Sequence, residues 1–176
     1  MTSVGSPSLL RLPDWARKGS PLAPAARPLR VLLRAKRLVT VCEEARCPNL
    51  AECFTRGTAT FMLLGDRCTR RCGYCSVATG RPLPPDPDEP ARVAEAATRM
   101  RLRYVVLTAV ARDDLADGGA SQFAATVQAV RARRPEARVE VLTPDFKGDR
   151  ASLEAVLSAR PDVFNHNVEM APRLFP

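Results

Sequence analysis

Short apolar runs alternate with amphipathic helical patterns from residue 58 onward, and this alternation constrains the fold more than any other feature. Buried-type strands are predicted at residues 59–64, 104–110 and 139–142, and a fourth strand begins at residue 163. Helices are predicted between these strands, because apolar side chains recur there at helical spacing: Val93, Ala97 and Met100; Phe123, Val127 and Val130; Leu153, Val156 and Leu157. This order predicts an α/β fold with a parallel sheet, right-handed crossovers and ligands at the carboxyl ends of the strands.

The first 57 residues have a different character and are interpreted as an irregular arm. Five prolines interrupt residues 1–40 and leave room for only a short helix at residues 28–36. We therefore expect two units, an N-terminal cysteine-bearing arm at residues 1–57 and a parallel (βα) barrel at residues 58–176. Four strands and three helices fit in the second unit, and no helix follows to cover the fourth strand. We expect a partial barrel, truncated after about the fourth strand.

The six cysteines are expected to be metal ligands or redox groups rather than disulfides. The sequence lacks the run of about 18 apolar residues that a membrane helix needs, and prolines and charges break up the candidate signal peptide. We therefore expect a cytoplasmic protein without a membrane partner, in which thiols stay reduced. An organellar transit peptide is the alternative, since residues 1–40 hold eight basic residues and one acidic residue.

The cysteines fall into two groups, the first triad (Cys42, Cys47 and Cys53) and the second triad (Cys68, Cys72 and Cys75). Their spacings, C-x4-C-x5-C and C-x3-C-x2-C, match neither the pairs typical of structural zinc nor the ferredoxin run. Three thiolates on a short loop can hold three irons of a cubane cluster and leave the fourth iron open, as a catalytic centre requires. The neighbouring cations Arg67, Arg70 and Arg71 would stabilise thiolate and cluster charge.

The net charge of +8 does not indicate a nucleic-acid partner. Nearly all of it lies in residues 1–40, whereas a nucleic-acid binder spreads a basic stripe over its folded surface, usually with interleaved aromatics. This head has a single aromatic residue, Trp15. We therefore expect no nucleic-acid partner.

The second triad, with Tyr74 before its last cysteine, resembles the radical S-adenosylmethionine superfamily. The first triad and its surroundings, residues 41–49, 52–53 and 57–62, are more specific and resemble one member family, lipoyl synthase. Residues 112–120 and 165–169 also match that family, and residues 12–15 fit its head. The resemblance runs from about residue 11 to the last residue.

The resemblance implies two [4Fe–4S] clusters and S-adenosylmethionine as cofactors. In this family the second triad holds the cluster whose open iron binds S-adenosylmethionine, which is cleaved to a radical that removes hydrogen from an unactivated carbon. The first triad holds an auxiliary cluster that is consumed as the sulfur donor. Sulfur is inserted at C6 and C8 of an octanoyl chain on a lysine of a lipoyl-carrier protein.

The partners that the resemblance implies are octanoylated lipoyl-carrier domains and an electron donor. The carriers are the E2 subunits of 2-oxoacid dehydrogenases and the H protein of glycine cleavage, and the donor is a protein such as flavodoxin or ferredoxin. Two other readings remain open. One is a radical S-adenosylmethionine enzyme whose second cluster is not consumed, and the other is a non-enzymatic zinc or iron–sulfur module.

Several polar residues at predicted strand ends are candidate contacts for S-adenosylmethionine: Thr108, Asn165, Asn167 and Glu169. His166 lies among them as a further polar candidate, and Thr108 could equally be a core hydroxyl bonded to backbone. The segment at residues 112–119 is either part of the active site or a loop that leads into a helix. Glu43 and Glu44 are interpreted as loop residues that position the arm.

The sequence departs from the lipoyl synthase pattern in two places. Phe54 stands where the family commonly has tryptophan. The serine that completes the auxiliary cluster in the family has no counterpart, because Ser152 and Ser158 lie within a predicted helix. We therefore expect residues 1–176 alone to be aggregation-prone and to form no lipoyl product.

Overall fold

The computed structural model describes residues 27–45, 47–168 and 173. In chain order its elements are α1 (Arg27–Ala35), β1 (Val39–Thr40), α2 (Val41–Glu44), α3 (Leu50–Thr55), β2 (Thr58–Leu63), β3 (Arg67–Cys68), β4 (Ala78–Thr79), α4 (Glu89–Arg99), β5 (Tyr104–Ala109), α5 (Ala120–Arg133), β6 (Arg138–Thr143), a 3₁₀ turn (Phe146–Gly148), α6 (Arg150–Ser158) and β7 (Val163–His166). Every helix in this described part is too short or too polar to cross a lipid bilayer.

The main sheet of the described residues has the order β1-β2-β5-β6-β7. β2, β5, β6 and β7 are parallel neighbours, with α4, α5 and α6 between them in the chain. The short β1 pairs antiparallel with the other edge of β2. This arrangement confirms the predicted α/β class and parallel sheet, as expected for a partial barrel.

Side chains alternate between the two faces of the parallel strands. On one face, Phe61, Leu107 and Val141 are fully buried in a core shared with helix residues such as Phe123 and Val156. The opposite face is only partly covered and includes half-buried Thr60, Val106, Thr108, Glu140 and Leu142. The third predicted helix is present as α6, which presents Val156 to the core and leaves Leu157 51% exposed.

The arm contains two short helices, α2 and α3, which the polar composition of residues 41–57 did not indicate. Thr40 caps α2, and its hydroxyl oxygen accepts a hydrogen bond from the Glu43 amide at 3.3 Å. Thr40 and Glu43 have the T-x-x-E spacing of a capping box, which is a sequence signal for a helix start. Glu43 also pairs with Arg30 of α1 at 2.8 Å, which fits its predicted role in positioning the arm. The predictions for residues 1–26 lie outside the described residues.

Gly119 is the glycine with the strictest local requirement in the described part of the chain. Its φ is +92°, and a Cβ at this position would lie 2.2 Å from Cδ1 of buried Leu64. We predict that Gly119→Ala lowers the free energy of unfolding by about 1–3 kcal/mol, from left-handed strain plus crowding. Chemical denaturation measures this change. Gly148→Ala is the matched control, since Gly148 has φ +75° and open space around it. Equal losses in the two variants would show that crowding at Leu64 contributes nothing.

Candidate metal centre

The second triad lies on a loop that two short strands close. β3 and β4 pair in parallel, so that Cys68 lies beside Thr79, and the Gly80 amide donates to the Cys68 carbonyl at 3.0 Å. Within the loop the Cys75 amide donates to the Cys72 carbonyl at 3.1 Å. Cys72 and Cys75 are exposed, Cys68 is half-buried, and all three are free thiols. The loop therefore presents three reactive sulfurs within eight residues.

All three of these cysteines line one cavity of about 660 Å³. Its other walls come from the carboxyl ends of the parallel strands and the residues just after them, including Met62, Thr108, Leu142, His166 and Asn167. This is the end of the sheet at which parallel α/β folds bind ligands. The cavity brings the second triad together with two of the predicted cofactor contacts, Thr108 and Asn167.

The donor set at this cavity fits an iron–sulfur cluster. The Arg70 amide donates to Cys68 Sγ at 3.3 Å, and the Val77 amide donates to Cys75 Sγ at 3.5 Å. Backbone donors of this kind stabilise thiolates and tune a bound cluster. In the described residues no three Cys, His, Asp or Glu side chains surround a single-ion position. A cubane cluster instead takes one thiolate on each of several irons, which three separate thiols around a cavity can provide.

Arg70 anchors the cysteine loop to the ends of two strands. Its guanidinium contacts Asp113, after β5, at 2.7 and 2.8 Å, and Asp145, after β6, at 2.7 and 2.8 Å. These hydrogen bonds hold the pKa of Asp113 below its usual range and lower the pKa of Asp145 to about 2. The expected role of Arg70 in stabilising cluster charge therefore needs correction, since both edges of its guanidinium are occupied by carboxylates.

The segment at residues 112–119 combines loop and anchoring roles. Asp117 accepts hydrogen bonds from the amides of Gly119 at 2.9 Å and Ser121 at 2.8 Å, as a residue that starts a helix does. Arg112 is almost fully buried and binds Asp114 at 2.8 and 2.9 Å. Asp113 instead faces Arg70. The contacts of Asp117 fit the interpretation as a loop that leads into a helix, and an active-site role for this segment stays a prediction.

A buried carboxylate supports the end of β2. Glu89 accepts hydrogen bonds from the Leu64 amide at 3.2 Å and from Gln122 Nε2 at 2.8 Å, which ties β2 to α4 and α5. Burial raises the pKa of Glu89 above its ordinary value, and these hydrogen bonds partly oppose that effect. Arg112 donates to the Leu64 carbonyl at 3.3 Å from the other side. These contacts fix the position of Leu64, and the loop that carries the second triad begins just after it.

The first triad lies beside the same strand. Cys42 belongs to α2 and Cys53 to α3, and the Cys47 amide between them donates to the Cys42 carbonyl at 3.1 Å. Burial raises the pKa of the Cys42 thiol, hydrogen bonds with Thr60 of β2 lower it, and Cys47 and Cys53 are near enough to raise it further. These three thiols are all half-buried and free. The first triad is thus gathered next to β2, whose Thr60 also lines the cavity.

Residues 62–175 match the radical SAM superfamily. This match covers more than half of the chain and contains the whole second triad. The chain belongs to the radical SAM superfamily.

Three relatives of this chain carry the same name, lipoyl synthase. The lipoyl synthase of Methylococcus capsulatus is 58% identical over 167 residues, which cover 94% of this chain and 52% of that protein. The lipoyl synthases of Rubrobacter xylanophilus and Xanthomonas campestris are 56% identical over 164 residues and 55% identical over 172 residues. These matches cover 93% and 96% of this chain and 51% of each relative. The chain thus spans about half the length of the curated relatives it matches.

The remaining predicted contacts of this radical SAM chain differ in their placement. The Thr108 hydroxyl donates to the Leu142 carbonyl at 3.0 Å while its side chain lines the cavity. Asn165 pairs in register with Leu142 but is not among the lining residues, and its Nδ2 donates to Glu140 Oε1 at 2.7 Å. Asn167 lines the cavity, and Glu169 lies outside the described residues. The roles of all four toward S-adenosylmethionine stay predictions.

Sequence reasoning missed Asp145 and left His166 undecided. Asp145 follows β6 directly, so its position after a predicted strand was the available signal. His166 lines the cavity, and its Nδ1 lies 2.9 Å from the Thr143 carbonyl. Because a carbonyl oxygen can only accept, Nδ1 is the donor in this contact.

Proposed function

We propose that this chain is part of an enzyme that carries out the lipoyl synthase reaction, the insertion of two sulfur atoms at C6 and C8 of a protein-bound octanoyl-lysine. The observation that carries the proposal is the proximity of both cysteine triads to one cavity: the second triad lines it, and Cys42 of the first triad is hydrogen-bonded to Thr60, which lines it too. The relatives named lipoyl synthase, at 55–58% identity over nearly the whole chain, support the same reaction.

In this proposal the second triad holds a [4Fe–4S] cluster that binds S-adenosylmethionine, and the first triad holds an auxiliary [4Fe–4S] cluster that donates sulfur. Bound together, these groups supply a carbon-centred oxidant and a sulfur source. The residues of the chain supply the surroundings. Val41, Met62, Val110 and Leu142 give the cavity apolar walls that suit an acyl chain and exclude water. Asn167 and His166 offer hydrogen bonds at the same cavity.

The proposal extends to the organisation of the chain, its partners and its location. Residues 1–57 form the cluster-bearing arm, and residues 58–176 form the partial barrel. The substrate is an octanoylated carrier domain, such as an E2 subunit or an H protein, and a flavodoxin or ferredoxin delivers electrons. A cytoplasmic location suits six thiols that oxidation would destroy.

A chimera tests the proposed reaction. Residues 1–176 are joined to the part of the Methylococcus capsulatus relative that follows the matched region, and the clusters are reconstituted anaerobically. The chimera is incubated with an octanoyl-lysine peptide, S-adenosylmethionine and a strong reductant, and the product is analysed by mass spectrometry. We expect two sulfur atoms in the product and loss of sulfide from the protein.

The outcomes separate the alternatives. A product without sulfur, or turnover without loss of sulfide, would favour a radical SAM enzyme whose second cluster is not consumed. A colourless protein that binds zinc after anaerobic purification would favour a structural metal module. The unaltered Methylococcus capsulatus relative, assayed under the same conditions, is the matched positive control.

A further inference from the structure

We infer that Arg70 is a positioning residue that fixes the loop of the second triad over the carboxyl ends of β5 and β6. This inference rests on the proposed function, because it concerns the cluster that the second triad would hold. Arg70 lies between Cys68 and Cys72 in the sequence and lines the same cavity as both.

Arg70 links three parts of the site at once. Its amide donates to Cys68 Sγ at 3.3 Å, so its backbone contacts a ligand sulfur. Its side chain binds Asp113, 43 residues away, and Asp145, 75 residues away. A displacement of either strand-end loop is therefore transmitted to Arg70, whose amide contacts Cys68 Sγ.

Arginine is the side chain that can make this connection. The planar guanidinium presents donors along two edges and can hold two carboxylates at fixed angles, whereas a lysine ammonium is a flexible point charge. Both carboxylates meet Arg70 through paired contacts of 2.7–2.8 Å. A lysine at this position keeps the charge but loses the two-sided geometry.

The contacts of Thr69 and Lys147 support the loop only at the segment that follows β5. Thr69 bonds to the Ala111 carbonyl through its amide at 3.1 Å and its hydroxyl at 2.9 Å. Lys147 donates to the Asp113 carbonyl at 2.9 Å and thereby supports the Asp113 loop. The direct bond from the cysteine loop to the end of β6 is the Arg70–Asp145 pair. Since Cys72 and Cys75 are exposed, their positions depend strongly on such anchors.

The test compares Arg70→Gln and Arg70→Lys with the unaltered chain, each joined to the relative's remaining part as in the chimera above, after anaerobic reconstitution. Only a cluster with an open iron changes its electron paramagnetic resonance spectrum when S-adenosylmethionine is added, so the titration reports on the second triad. We expect the half-maximal S-adenosylmethionine concentration to rise on the order of tenfold to a hundredfold in both variants, as misplacement of a reacting group does. Iron content and thermal melting are measured in parallel.

Arg131→Gln is the matched control. Arg131 has the same side-chain exposure as Arg70, 34%, and also pairs with an aspartate, Asp162 at 3.0 Å. We expect its titration to match that of the unaltered chain. Unchanged titration in Arg70→Gln, or full rescue in Arg70→Lys, would overturn the positioning role. An unaltered chain that shows no S-adenosylmethionine response would overturn the proposed function, and this inference with it.

Discussion

Replacing Cys68, Cys72 and Cys75 together with alanine is expected to abolish lipoyl formation in the chimera while leaving one cluster in place. The second triad alone lines the cavity with three sulfurs, and no other thiol is available to replace them there. The iron content should fall from about eight to about four atoms per chain. Iron and sulfide assays with the octanoyl-lysine reaction measure both effects.

The matched variant replaces Cys42, Cys47 and Cys53 with alanine. It should also retain about four irons, and it should still cleave S-adenosylmethionine while inserting no sulfur. The two triads would act as separate sites in that case, as expected from their separation in the chain by β2. Loss of all iron in either triple variant would contradict the separation.

Asp114→Ala is expected to lower the free energy of unfolding by about 2–4 kcal/mol, far more than its surface position implies. The Asp114 side chain is 40% exposed, but its partner Arg112 is 1% exposed. Removing the carboxylate leaves a buried guanidinium with the Leu64 carbonyl as a poor remaining acceptor at 3.3 Å. Chemical denaturation at neutral pH measures the loss.

A double variant separates the charge effect from a general loss of packing. Arg112→Met with Asp114→Ala should be more stable than Asp114→Ala alone, because the buried charge is gone and its volume is largely kept. Glu154→Ala is the surface control. Its partner Arg150 is 89% exposed, so the expected loss is below about 1 kcal/mol. A double variant less stable than Asp114→Ala would show that Arg112 stabilises the fold without its carboxylate.

The main sheet and its helices could be read from the sequence because local patterns determine them. The predicted helix marked by Phe123, Val127 and Val130 is α5 (Ala120–Arg133), and these three side chains are buried. Strands β2, β5 and β6 were recognisable as short apolar runs because one face of each is largely buried. Their parallel arrangement followed from the alternation of strands and helices.

The contacts that shape the site could not be read in the same way. Arg70 meets Asp113 and Asp145 over separations of 43 and 75 residues, and no local pattern encodes such a pairing. The pairing of β1 with β2 and the hydrogen bonds between Cys42 and Thr60 are also long-range. The sequence therefore indicated the candidate cysteine ligands, but it did not indicate the long-range contacts that position them.

Both triads lie near β2, and this position bears on how one centre could insert sulfur at two carbons of the same octanoyl chain. Cys42 is hydrogen-bonded to Thr60 near the middle of β2. The second triad follows the end of that strand, where Glu89 binds the Leu64 amide. A strand rises about 3.3 Å per residue, so β2 gives the two triads a common attachment. Under the proposed function, an acyl chain that shifts along the cavity would bring first one carbon and then the other to that centre. Regiochemistry would then depend on the depth to which the substrate is threaded.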